Sequence, residues 1–299
     1  MIENEAQFTN SNQSEMGGEI EGLPASNNYH DNTFEIDTEY KGDRLTNKLQ
    51  GTFRIGFVNI NGIPDNNESN KNTNILETIN KCEFDHIGLA EVNKNWNKVP
   101  MNHKWHSRTA SWWENSKSVT GFNTKDCIDE IDQPGGVVGI SIGDSTSRIT
   151  NTGKDTILGR WCWTTLRGSN NIKTSIITAY RPARGQGGYK TVYSQHMRVW
   201  NANNRQGCAR QFWLDNLKTL ITNKMNEGEQ IILMCDMNKE VYSKKIKEWA
   251  QETGLTEVIT EKCQIHPATV NNGSKTIDGI FTNHSLTVRR AGYLEFGLF

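Results

Sequence analysis

From Thr52 onward the chain breaks into short apolar runs separated by polar stretches rich in Gly, Asn and Ser. TFRIGFVNI predicts a buried strand that ends in the polar loop NGIPDNNESN. NTNILETINKC then carries Ile75, Leu76 and Ile79 at helical spacing and leads into a second apolar run, DHIGLAEVN. GGVVGISIG, RWCWTTLRG and KTSIITAYRP predict further strands, spaced as in a meandering sheet. In ARQFWLDNLKTLITNKM, Phe212, Leu214, Leu217, Leu220, Ile221 and Met225 share one side of a helix that closes at Gly228. EQIILMCDMN predicts a strand, KKIKEWAQETG a short helix ended by Gly254, and KTIDGIFTN and LTVRRAGYLEF two closing strands. Strands mixed with helices, without strict βαβ alternation, predict an α+β layered sandwich. No internal repeat of roughly 20–50 residues points to a solenoid or propeller.

Residues 1–51 differ in kind. They are rich in Asn, Glu, Ser and Gly and show no sustained period, so the sequence predicts a disordered acidic tail and a single domain over 52–299. Charge follows the same division. Residues 1–50 hold ten acids and three bases, which leaves the body mildly basic although the whole chain carries a net charge of −1. Such a balance is compatible with a polyanionic ligand. The six cysteines are scattered without a CxxC pair, which argues against a zinc module or a disulfide framework and for reduced thiols in a nuclear or cytoplasmic protein. The sequence has no apolar run of about 18 residues and no basic, apolar start, so it predicts neither a membrane span nor secretion.

Several strands end in polar residues, which is how a sheet scaffold gathers a site at one rim. Asn59 and Asn61 close the first strand, Glu91 the second, Tyr180 and Arg181 a middle one, and Asp236 and Asn238 a later one. Taken singly, Asn59 and Asn61 are as well explained as turn formers before Gly62 and Pro64. Glu91 at the end of HIGLA is either a salt-bridge partner or a ligand for a hard cation. Asp236 and Asn238 suit either an Asx-turn or a joint grip on water and a phosphate oxygen.

The ordered set VNINGI, GLAEVN, TAYRP, LMCDMN and TIDGIF resembles the endonuclease/exonuclease/phosphatase superfamily over residues 52–299. The resemblance implies a four-layer α/β/β/α sandwich of the DNase-like type. It also implies a Mg2+ cofactor, with Mn2+ as an alternative, held chiefly by Glu91 with Asn61, where many members have Asp. By the same resemblance Asn59 contacts phosphate, Tyr180 donates to it, Asp236 orients the attacking water, Asn238 fixes its partner oxygen, and Asp278 orients a catalytic histidine. The superfamily ends in a Ser-Asp-His motif that does not follow GYLEFGLF here. His266 and His284 flank TIDGIF without matching it. The fold is therefore expected to be incomplete at its C-terminus, and this chain weakly active or inactive.

Arg181, Arg184, Lys190, Arg198, Arg205 and Arg210, interleaved with Tyr189, Tyr193 and Trp200, suit a nucleic-acid backbone or a solvated helical face. Lys94, Lys98 and Lys104 with Trp96 and Trp105 form a second candidate wall, and Trp112 and Trp113 read as alternate faces of a strand. The leading expectation is a metal-dependent endonuclease nicking DNA, with RNA as the other polymer, in a monomer or a larger polyprotein. The segment between TAYRP and CDMN is similar to that of non-LTR retrotransposon endonucleases. The alternatives are a phosphatase or phospholipase of the same superfamily, acting on an inositol phosphate or sphingomyelin, and a nucleic-acid-binding module that has lost catalysis.

Overall fold

The computed structural model describes residues 2–5, 41–65, 69–126, 130–185, 188–270, 273–283 and 286–294. In chain order its elements are β1 (Ile2–Glu5), β2 (Lys41–Gly42), β3 (Phe53–Asn59), α1 (Asn70–Lys81), β4 (His86–Ala90), α2 (Trp105–Trp112), β5 (Ser116–Gly121) and β6 (Val137–Ile142). They continue with β7 (Ile149–Lys154), β8 (Trp161–Arg167), β9 (Lys173–Tyr180), α3 (Val192–Ala202), α4 (Ala209–Asn226), β10 (Gln230–Asp236), α5 (Lys244–Glu252), β11 (Thr256–Glu257), α6 (Val258–Cys263), β12 (Asp278–Thr282) and β13 (Thr287–Tyr293). The strands form a seven-stranded sheet, β2-β13-β1-β3-β4-β6-β5, and a six-stranded sheet, β11-β12-β10-β9-β8-β7.

Side-chain alternation explains how these sheets stack. On β4, Ile87 and Leu89 face outward and pack under Ile75 and Ile79 of α1. Helix α1 starts where the Ser69 hydroxyl accepts the Asn72 N–H at 3.2 Å, a Ser N-cap. On the second sheet Ile177, Ala179, Ile231 and Leu233 face outward against Trp213, Leu214, Leu217 and Ile221 of α4 and Ile246 and Trp249 of α5. The intervening inner faces meet each other. Phe53 and Ile55 of β3 join Ile176, Ile232, Met234 and Ile280 of the other sheet. The result is the helix, sheet, sheet, helix order expected of an α/β/β/α sandwich.

Close approach of the sheets depends on missing side chains. A Cβ on Gly88 of β4 would lie 2.7 Å from Thr178 Oγ1 and 2.8 Å from Met234 Cε, both on the opposite sheet. Gly139 of β6, paired with Gly88 in register, lies over the same Thr178.

Each sheet also holds one parallel pair, β3 with β4 and β9 with β10. Parallel neighbours need a crossover, supplied by α1 in the first case and by α3 and α4 in the second. Both pairs run their carboxyl ends to the same rim.

These elements meet some of the sequence-based expectations and depart from others. Within the expected tail, Ile2–Glu5 pairs by its backbone with β13 and β3, and Leu45 is buried in the core; residue 1 and residues 6–40 lie outside the described residues. Trp112 is helical and Trp113 ends that helix, with Trp112 set edge-on against buried Trp105 at 5.5 Å. The face of α4 is built on Trp213, while Phe212 turns to stack on Trp200 at 4.7 Å. A helix, α3, precedes it. Finally, no helix among the described residues is long and apolar enough to cross a membrane.

Candidate active site at the shared rim of the two sheets

Register alone brings the predicted residues together. Asp236 pairs across β10 with Tyr180 on one side and Asp278 on the other, so all three side chains point to the inner face at the rim. Asn59 ends β3 on the opposing sheet, and its Nδ2 donates to Asp236 Oδ2 at 3.0 Å across the two sheets. The Tyr180 hydroxyl likewise crosses over and donates to Glu91 Oε1. Ligand sites of open sheets favour the carboxyl ends of parallel strands, and here two such ends face each other.

Glu91 reaches this position through a left-handed backbone, φ 51°, which an L-residue adopts only when its surroundings hold it there. They do. Gly62 N–H donates to the Glu91 carbonyl at 2.6 Å, and Asn93 N–H donates to Gly135 O at 2.8 Å. Asn93 Oδ1 in turn accepts the Gly135 N–H at 2.7 Å. Gly135 and Gly136, both at positive φ, thus clamp the segment behind Glu91, a role their sequence neighbourhood did not suggest.

Three carboxylates converge here, and the electrostatics reflect it. Burial, opposed by hydrogen bonds from Asn238 and Asn59 and reinforced by the Glu91 charge, pushes Asp236 up to about 7. Burial and the Asp236 charge push Asp278 well above the usual carboxylate range. Asp278 Oδ1 is shielded from water and has no hydrogen-bond partner. Burial beside Glu91 and Asp236 raises Tyr180 far above an ordinary phenol, so it remains a proton donor.

Arg210, at the start of α4, is the cation nearest Asp236 in effect, and it also ties the rim together. Its Nη1 donates to Pro182 O at 2.5 Å and its Nη2 to Asn238 O at 2.9 Å, so one guanidinium braces the loops after β9 and β10. The sequence marked Arg210 only as one base among several.

Other predicted residues sit elsewhere. Asn61 is exposed at φ 43°, its N–H donating to Asn59 Oδ1 at 3.0 Å in the turn after β3. Asn238 is the second half of an Asx-turn: its N–H donates to Asp236 Oδ1 at 2.7 Å and its Nδ2 to Arg181 O at 2.8 Å. Arg181 is 2% exposed and donates to Met237 O and Arg210 O, tying together the loops around it. Lys190 pairs with Glu130, and Arg198 with Asp126 at 2.5 Å. Arg184 is exposed. Of the second candidate wall, Lys94 is buried between Asp65 and Asp132 and Trp96 and Trp105 are core residues, while Lys98 is exposed and Lys104 half-buried. Among the histidines, His266 stacks on Tyr242 at 4.1 Å, and His284 lies outside the described residues.

This architecture is a fold shared, at low sequence identity, with several solved structures. Among solved structures, the AP endonuclease LMAP from Leishmania major superposes with a TM-score of 0.53 at 12% identity, covering 78% of this chain and 79% of that one. The Xenopus laevis APE2 catalytic domain gives 0.52 at 11% identity, covering 81% and 93%. The human Nocturnin catalytic domain with bound sulfate anion gives 0.50 at 17%, covering 76% and 80%. No protein-family model and no curated protein sequence matches the chain.

Proposed function

We propose that the chain is a divalent-metal-dependent phosphodiesterase of nuclease type, cleaving DNA by attack of water on phosphorus. The observation that carries this reading is the double crossing between the sheets, Asn59 to Asp236 and Tyr180 to Glu91, which sets a base and a donor side by side at one rim. Asp236, near neutrality, is suited to take a proton from the attacking water, with Asn59 and the Asn238 N–H fixing its two oxygens. Tyr180, kept protonated, donates to a phosphoryl oxygen as charge develops on it. Asp278, with one shielded oxygen unpartnered, accepts a hydrogen bond from a donor such as an imidazole, orienting it toward the phosphate.

The donor set fits Mg2+, with Mn2+ as its substitute. Among the described residues no three His, Cys, Asp or Glu side chains form a ready-made cage. Mg2+ needs none, because it keeps several waters and takes one or two carboxylates besides substrate oxygens. Glu91 would hold it, and a cation there would favour the charged forms of Asp236 and Asp278, which burial and mutual repulsion disfavour. When bound, the ion supplies Lewis-acid polarisation of the phosphoryl oxygen.

A second reading, a phosphatase of small phosphate esters, draws on one fact: Lys190 and Arg198 are engaged by Glu130 and Asp126, so the rim is less cationic than its sequence suggests. Plasmid nicking and inositol phosphate hydrolysis, each assayed with Mg2+ and with EDTA, separate the two. Mg2+-dependent nicking lost in Glu91→Gln and Asp236→Asn supports the nuclease. Nicking by Glu91→Gln at the wild-type rate and wild-type Mg2+ requirement would refute the assignment.

A further inference from the structure

With the basic residues after β9 largely engaged within the protein, an aromatic ring is what this wall presents. Tyr189 is 68% exposed, the most exposed large hydrophobic residue among those described. Its ring is nonetheless held. The Arg198 guanidinium lies 3.7 Å from the ring centroid, stacked on one face. Arg198 is itself fixed, donating through Nε and Nη2 to Asp126 Oδ2 at 2.9 and 2.5 Å and through Nη1 to the Tyr189 carbonyl at 2.7 Å. Lys190, the next residue, pairs with Glu130 on the same loop as Asp126. The buried bond from Asn123 Nδ2 to Gln195 Oε1 at 3.1 Å fastens that loop to α3 from beneath.

Tyr189 lies on the segment that leads into the site. Val192 packs in the cluster that contains Tyr180 and Ala90, and it also abuts Gly135 of the clamp behind Glu91. Tyr189 is three residues before Val192, which bounds the separation of their Cα atoms at about 11 Å. One face of the ring is backed by a cation and the other is open to solvent.

We propose that Tyr189, backed by Arg198, is a stacking platform for an unpaired nucleobase adjacent to the scissile phosphate. The proposal rests on the nuclease reading and narrows it to a substrate with a single-stranded or splayed base at the cleavage point. An aromatic face accepts any base, so the platform confers a preference for unpaired structure and not for sequence. The guanidinium behind the ring fixes its orientation, which lowers the ordering cost of each stacking event.

The test measures binding of a fluorescein-labelled single-stranded oligonucleotide by anisotropy, in EDTA, so that no turnover is needed. Tyr189→Ala is expected to weaken binding about tenfold and Tyr189→Phe and Tyr189→Trp to stay within about twofold of wild type. An oligonucleotide of abasic sugar-phosphate should bind wild type and Tyr189→Ala alike. The slope of log K against log salt should not change in Tyr189→Ala, since no cation is removed. Equal binding of the normal oligonucleotide by wild type and Tyr189→Ala overturns the proposal, as does Tyr189→Phe binding as weakly as Tyr189→Ala, which would make the hydroxyl the contact. A binding loss in Tyr189→Ala with no Mg2+-dependent cleavage by any variant would remove the nuclease reading and leave the platform standing.

Discussion

Asp236 should make the protein less stable as pH rises, by an amount a single variant isolates. Its carboxyl is raised from an ordinary 3.8 to about 7, so the folded state holds a proton over a window in which the unfolded chain has released it. Stability from this group is therefore greatest at low pH and falls as pH rises through 7. At about 1.36 kcal/mol per unit, the whole shift corresponds to about 4 kcal/mol, of which about 2.5 kcal/mol falls between about pH 5 and pH 8. Two buried histidines act the other way. Burial depresses His86 and His196 to about 3, so both favour the fold only while neutral, and their contribution is lost as pH falls below the unfolded value of 6.5. The wild-type profile alone would mix these opposing effects. Asp236→Asn removes one and keeps the other, so the quantity to measure is the stability difference between the two proteins, by urea unfolding in EDTA at each pH. The variant should gain about 2.5 kcal/mol on wild type from about pH 5 to pH 8. A difference that stays constant within about 0.5 kcal/mol across that range would refute the reasoning.

Three further outcomes are expected. Gly88→Ala forces a methyl against Thr178 and Met234 across the sheet interface and should cost about 1–3 kcal/mol, read as a lower urea midpoint with unchanged m-value. Arg210→Lys keeps the charge near Asp236 but cannot brace Pro182 O and Asn238 O together; it should lower kcat about tenfold while leaving KM within about twofold, and a wild-type kcat would count against the bracing role. Added imidazole should raise turnover in wild type and fail to do so in Asp278→Asn, because the carboxyl of half-buried Asp278 is its acceptor; equal stimulation of both proteins would contradict this.

The apolar runs were legible because a strand buried on both faces writes itself as continuous Val, Ile and Leu, as in HIGLA and QIILMCD. Strand β1 was not, since IENE carries no such pattern and pairs only because β3 and β13, distant in sequence, flank it. Polar β5 and β7 escaped notice for the same reason. Trp105 and Trp112 read as interface aromatics or strand residues because only tertiary packing distinguishes a core tryptophan from a surface one. At the site, polar residues at strand ends pointed to Asn59, Glu91, Tyr180 and Asp236, whereas Asp278, at the start of β12, came only through the family resemblance. The ion pairs of the basic stretch were not legible because sequence shows a charge but not its partner: Asp126 lies 72 residues from Arg198 and Glu130 lies 60 from Lys190. The clamp behind Glu91 was invisible because it is made of backbone.

The two contacts that define the site each span the gap between the sheets, and that gap is set by bare glycine surfaces at Gly88 and Gly139. Sliding one sheet past the other by a single residue, about 3.3 Å, would part both contacts at once. The glycine layer thus acts as an alignment gauge: substitutions there, two residues along the strands from Tyr180 and Asp236, are read out at the rim. A search for activity-lowering changes outside the rim itself has its first place to look in the seam between the sheets.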